Sequence, residues 1–150
     1  TNPLAETPQS AAAYEPMIVG VKSGRMIDVL RGFLKPEFLA PGPQRIQVLS
    51  QVQAMAESLG PEVFLRQIKA LQRRRDQQAA LRKAKMPALV MCGEYDGLTP
   101  RKRHEFMAEL IPYAKLAIVE GAGHLPTLEA PEQVNALLTD WLKQPYVLRS

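Results

Sequence analysis

A single cysteine, Cys92, in 150 residues excludes any internal disulfide framework. A chain of this length must be held by an apolar core instead, and a lone thiol fits a reducing, cytoplasmic setting. Aromatic residues make up only 6% of the chain and fall mostly on apolar stripes, so no stacking platform for a nucleic acid is expected. The formal charge of +4 is mild. Its one conspicuous basic run, Arg73-Arg74-Arg75, reads as a solvated helix end, where cations favour the helix dipole. Long hydrophobic runs are missing too: the longest is about five residues, against the roughly 20 that a bilayer-spanning helix needs. No basic, apolar, small-residue leader opens the chain, so no membrane association is expected. There are two histidines, His104 and His124, with no clustered ligand pattern around either, and no glycine loop to cradle a phosphate. No metal and no cofactor are expected. With 46% hydrophobic and 23% charged residues, the composition is that of an ordinary globular domain.

The first 84 residues read as helices only. Thr7-Pro8 supplies a hydroxyl cap followed by proline at the first helical position. Tyr14, Met17, Ile18 and Val21 then form one apolar stripe, which Pro16 must kink or restart before Gly24 stops it. Arg25 to Leu34 repeats the pattern up to Pro36, and Ala40-Pro41-Gly42-Pro43 is a rigid turn. From Gln44, the residues Val48, Leu49, Val52, Met55, Ala56 and Leu59 mark the longest amphipathic helix. Gly60 closes it, and Pro61 opens a helix carrying Phe64, Leu65, Ile68 and Leu71. A short helix spans Asp76 to Ala84.

Lys85-Met86-Pro87 marks a change of character. Ala88 to Cys92 and Leu116 to Val119 are short unbroken apolar runs bounded by turn signals, which read as strands buried on both faces. Between them, Phe106, Met107, Leu110 and Ile111 stripe one side of a helix, whereas His104, set among Arg101, Lys102 and Arg103, reads as exposed. A last helix begins at Pro131 and carries Val134, Leu137, Leu138, Trp141 and Leu142 as its apolar stripe. A strand, helix, strand crossover joins parallel strands, so both strands deliver their following loops to the same edge of the sheet, where open α/β sheets bind ligands. Asp96 follows the first strand by a few residues and His124 follows the second by a similar margin. An Asp96 to His124 hydrogen bond is therefore expected, with Gly97 in the turn after Asp96, and with Gly121 and Gly123 free to take positive φ and approach a neighbour closely. Two short parallel strands do not make a stable sheet, so the chain reads as part of a larger fold, and Thr1 in place of an initiator methionine agrees with that.

The stretches GEYDGLTP and GAGHLPTLEAPEQVNALLTDWL resemble the C-terminal half of the α/β-hydrolase family. The resemblance implies an α/β fold class: a partial α/β-hydrolase fold in which a helical cap, residues 1–84, precedes a βαβα segment of the parallel core sheet, residues 85–150. It implies Asp96 as the acid and His124 as the histidine of a Ser-His-Asp triad, in the family's order along the chain. By the same resemblance, a missing N-terminal half or a second chain supplies the nucleophile and the oxyanion hole. The substrate class it implies is a small ester, thioester or lactone with an apolar part. No serine here has glycine two positions away on both sides, as the family's elbow requires; Gly20-Val21-Lys22-Ser23-Gly24 comes nearest, and it ends a helix. Cys92 lies on the strand that delivers Asp96 and does not suit the role. An N-terminal threonine nucleophile at Thr1, with its own amine as base, is a different chemistry, but Asn2 to Glu6 reads as loop rather than a rigid strand. The non-enzymatic alternative is an inactive fragment or a helical binding module.

Overall fold

Thr7 caps the first helix as its sequence implies. In the computed structural model, which describes residues 2–144, its side chain accepts from the Ser10 amide while Ser10 Oγ accepts from the Thr7 amide, a reciprocal capping box. The helix so started, α1, runs Pro8–Ala12. Pro16 interrupts the stripe as expected: α2 restarts at Glu15–Lys22 with Pro16 in its first turn, where a missing N–H costs nothing. Then α3 spans Met26–Phe33, followed by a 3₁₀ turn at Pro36–Phe38. The long α4, Gln44–Gln72, is two helices joined at Gly60, whose φ of 80° and ψ of 169° leave the helical region immediately before Pro61. The short α5 covers Gln78–Arg82.

Strand β1, Ala88–Gly93, and strand β2, Ala114–Val119, pair in parallel from Ala88 with Ala114 to Gly93 with Val119. Helix α6, Arg101–Leu110, is the crossover between them. Helices α7, Pro126–Glu129, and α8, Pro131–Leu142, follow β2. Both α6 and α8 pack against both strands. Side chains alternate along a strand, which separates the two helices: Met91 and Val119 join Ala122, Val134 and Leu138 on the α8 side, and Cys92, on the opposite face, meets His104 of α6.

The chain divides into two compact units. One contains Leu4–Pro36 and Ile46–Asp76, with a core of Ile18, Val21 and Ile68 ringed by Tyr14, Met17, Val29 and Phe64. The other contains the βα elements from Gln77 onward together with Glu37–Arg45. Glu37–Arg45, which lies within the helical stretch of the sequence, groups with the strand-bearing unit.

Other expectations are met only in part. Val90, Cys92, Ala117 and Val119 are buried, but Leu89, Met91, Leu116 and Ile118 are half-buried and Lys115 is exposed, so the strands are not covered on both faces. Met55, Leu59, Phe106 and Leu142 leave their expected stripes and are exposed. Arg73 and Arg75 are exposed, but Arg74 is half-buried and pairs with Glu6 rather than ending in solvent. Thr1 and the tail from Pro145 to Ser150 lie outside the described residues. Among the described residues no helix is long and apolar enough to cross a membrane.

Val119 is fully enclosed between β1 and α8. Val119→Ala is expected to cost about 1–3 kcal/mol through lost transfer energy and a residual cavity. Urea denaturation, read as a lower midpoint at unchanged slope, checks this.

Candidate functional site

The parallel pairing of β1 and β2 sends two loops off one edge of the sheet. Backbone hydrogen bonds sew these loops together: Glu94 N donates to Val119 O at 3.0 Å, Tyr95 N donates to Ala122 O at 2.8 Å, and Glu94 Oε2 accepts from Gly121 N at 2.9 Å. Asp96 and His124 are carried by these joined loops. His124 Nδ1 lies 3.0 Å from Asp96 Oδ1 and 3.1 Å from Oδ2, so the imidazole addresses the whole carboxylate. The Asp96 side chain is 4% exposed and that of His124 is 24% exposed. The expected pair therefore forms. With Nδ1 committed to the carboxylate, Nε2 is the nitrogen left to exchange a proton.

Asp96 also builds its own turn. Its Oδ1 accepts from Leu98 N at 3.0 Å and Thr99 N at 2.8 Å, and its Oδ2 accepts from Thr99 Oγ1 at 2.8 Å. The turn-forming role of an Asp-Gly pair and the histidine-orienting role coexist in one carboxylate. Burial pushes this carboxyl up, but the hydrogen bonds from His124 and Thr99 outweigh it and hold the group below the ordinary carboxylate range. Thr99, 3.4 Å from His124 Nδ1 as well, was legible as a hydroxyl three residues after an aspartate at a helix entry, a local pattern that the motif reading passed over.

His104 is a correction. It is 4% exposed, not solvated. Its side chain shares a helical face with Met107, Ala108 and Ile111, and that face turns toward β1 although its sequence neighbours are basic. Burial lowers its pKa below the ordinary 6.5, and Nδ1 lies 3.4 Å from Pro100 O. Cys92, Asp96 and His104 bring one donor atom each within 4.8 Å of one another, a convergence the sequence pattern did not disclose. The Asp96 carboxylate in this cluster already receives Leu98 N, Thr99 N, Thr99 Oγ1 and His124, which occupies its lone pairs. The cluster is therefore the buried back wall of the acid. Burial, with Asp96 nearby, pushes the Cys92 thiol up to about 11, which keeps it protonated and poorly nucleophilic at neutral pH. Ser23, in the segment nearest to an elbow pattern, is the C-cap of α2 and donates to Val19 O at 2.9 Å.

The glycines before His124 do different work. Gly121 takes the expected positive φ, 67°. Gly123 does not; it is needed for close approach, since a Cβ there would stand 2.5 Å from Leu39 Cα and from Phe38 O. Residues 38–40 therefore lie directly against the histidine loop, and His124 N donates to Phe38 O at 2.8 Å.

The chain is similar in sequence and fold to known proteins. The model of the alpha/beta hydrolase family matches residues 3–137. RutD of Pseudomonas savastanoi pv. phaseolicola, a provisionally named carbamate hydrolase, is 32% identical over 92 residues, which are 61% of this chain and 35% of RutD. A thermophilic esterase from Thermogutta terrifontis superposes with a TM-score of 0.86 at 24% identity, over 95% of this chain and 53% of the esterase. The enol-lactonase of Burkholderia xenovorans LB400 superposes with a TM-score of 0.78 at 18% identity, over 96% of this chain and 54% of the lactonase. The chain thus spans about half the length of these solved structures and about a third of RutD.

The depressed His104 pKa gives a pH test. An unfolded chain takes up a proton near 6.5 that the folded protein refuses, so stability is greatest above about pH 7 and falls as pH drops through 6.5 toward the lowered folded value. Asp96 acts in a separate, more acidic window, its contribution being lost as pH falls below 3.8 through its lowered pKa. His104→Leu is expected to flatten the first limb and keep the second, measured as urea midpoints across pH.

Proposed function

The chain belongs to the alpha/beta hydrolase family, and on that premise we propose that it carries the acid and the histidine of a Ser-His-Asp triad whose nucleophile lies outside these residues. The observation that supports this best is the two-oxygen contact of Asp96 with His124 Nδ1 at 3.0 and 3.1 Å. In this reading His124 accepts the serine proton through Nε2 and returns it to the leaving group. Asp96 holds the tautomer with the proton on Nδ1 and stabilises the imidazolium formed during the reaction. The lowered Asp96 pKa supports the role, because the acid must stay ionised while the imidazole is charged.

The reaction proposed is acyl transfer to water from a small ester, thioester or lactone. The esterase and lactonase named among the solved relatives favour these substrates, and the carbamate hydrolysis in RutD's name is a neighbouring acyl chemistry. The helices up to residue 84 are proposed as a cap, and the partner is proposed to be the half of the fold that bears the serine elbow. Cys92 does not compete for the nucleophile's role, its thiol being buried and protonated.

Purified alone, the chain is expected to hydrolyse p-nitrophenyl esters no faster than its Asp96→Asn variant. Joined to a serine-bearing N-terminal half of the fold, it is expected to gain esterase activity that Asp96→Asn lowers by about four orders of magnitude in kcat. Equal activity of the two joined forms would sink the acid assignment. A binding or inactive role would leave both at background with a folded elbow present.

A further inference from the structure

Three successive backbone amides surround the imidazole-bearing residue, and none of them is left to water. His124 N donates to Phe38 O, while Gly123 N and Leu125 N both donate to Glu129 Oε2, at 3.0 and 2.9 Å. The other oxygen of the same carboxylate, Oε1, accepts from Ala40 N at 2.7 Å. Glu129 is the last residue of α7 and is half-buried. It therefore grips the histidine loop with one oxygen and the 37–45 segment with the other. Arg45 completes the grip from the far side, its Nε donating to Ala40 O at 3.0 Å and its Nη2 to Leu39 O at 2.9 Å.

This arrangement decides where His124 can point. A peptide rotation at Gly123 or at Leu125 would take an N–H donor away from a carboxylate, and charge-assisted bonds of that kind are the strong ones. Movement of the 37–45 segment would release both the His124 amide and the Ala40 amide. The close approach at Gly123 leaves no room for the segment to slide inward.

We propose that Glu129 is a positioning residue for His124: by holding the amides on either side of the histidine and tying them to Ala40, it fixes the backbone from which the imidazole reaches Asp96. The catalytic meaning of this rests on the triad reading above, whereas the positioning itself is tested without substrate. The isosteric Glu129→Gln keeps an acceptor oxygen but must turn an NH₂ group toward one set of donors. Either Ala40 N or the pair at 123 and 125 then loses its partner. Glu129→Ala removes all three bonds.

The experiment is NMR of the full chain, labelled with ¹⁵N, reading amide exchange together with the far-downfield Nδ1 proton of a carboxylate-bound imidazole. In the unmutated protein that resonance is expected, and Asp96→Asn abolishes it. Glu129→Gln is expected to speed exchange at Ala40 or at Gly123 and Leu125 by roughly tenfold or more and to shift or broaden the Nδ1 resonance, while Val90 and Val119 keep their protection. Gly123→Ala, which forces the 37–45 segment away, is expected to do the same. An unshifted Nδ1 resonance in Glu129→Gln and Glu129→Ala, with the loop amides exchanging fast, would overturn the proposal, since Glu129 would then support the loop without aiming the ring. Absence of the resonance from the unmutated protein would overturn the acid and histidine reading itself, and the positioning role with it.

Discussion

Everything at the candidate site depends on the parallel pairing of β1 with β2. Register from Ala88 with Ala114 to Gly93 with Val119 ends both strands at one edge, and the loops that follow are joined at once by Glu94, Tyr95 and Gly121. An antiparallel pair would send the same loops to opposite ends. The crossover helix α6 makes the parallel arrangement possible and also brings His104 against the buried side of Asp96. Strand order, helix placement and the meeting of a carboxylate with an imidazole are thus one structural fact.

Around the pair, polar groups are satisfied in layers. Asp96 is held by its own turn and by Thr99, and His124 is held through its backbone by Phe38 and Glu129. Neighbours on both loops spend their hydrogen bonds on the residues of this pair and the amides beside them. A buried carboxylate kept ionised by four donors is suited to stabilising a transient imidazolium, which is what a triad asks of its acid. Segment 37–45 belongs to this scheme although it is flanked on both sides by helices of the other unit.

Local chemistry was legible in the sequence; long-range chemistry was not. The Thr7 cap, the break at Gly60 before Pro61, both strands and the Asp96 to His124 meeting follow from turn residues, periodicity and crossover handedness, all of which act over a few residues or through one supersecondary unit. His104 was misread because its basic neighbours suggested a solvated face, whereas its spacing from Met107, Ala108 and Ile111 places it inward. Phe106 was misread for the complementary reason, being apolar but off that face. The bond between Ala40 and Glu129 had no local signal, because it joins residues separated by most of the chain. The grouping of Glu37–Arg45 with the strands has the same origin.

The central claim is that Asp96 and His124 serve a nucleophile that this sequence does not contain. Treating the chain, joined to a serine-bearing half of the fold, with a fluorophosphonate and mapping the adduct by mass spectrometry tests it most directly. The account predicts a single modified serine outside these 150 residues, labelled far more slowly when His124 is replaced by glutamine. An adduct on a residue of this sequence, or a labelling rate indifferent to His124, would contradict it.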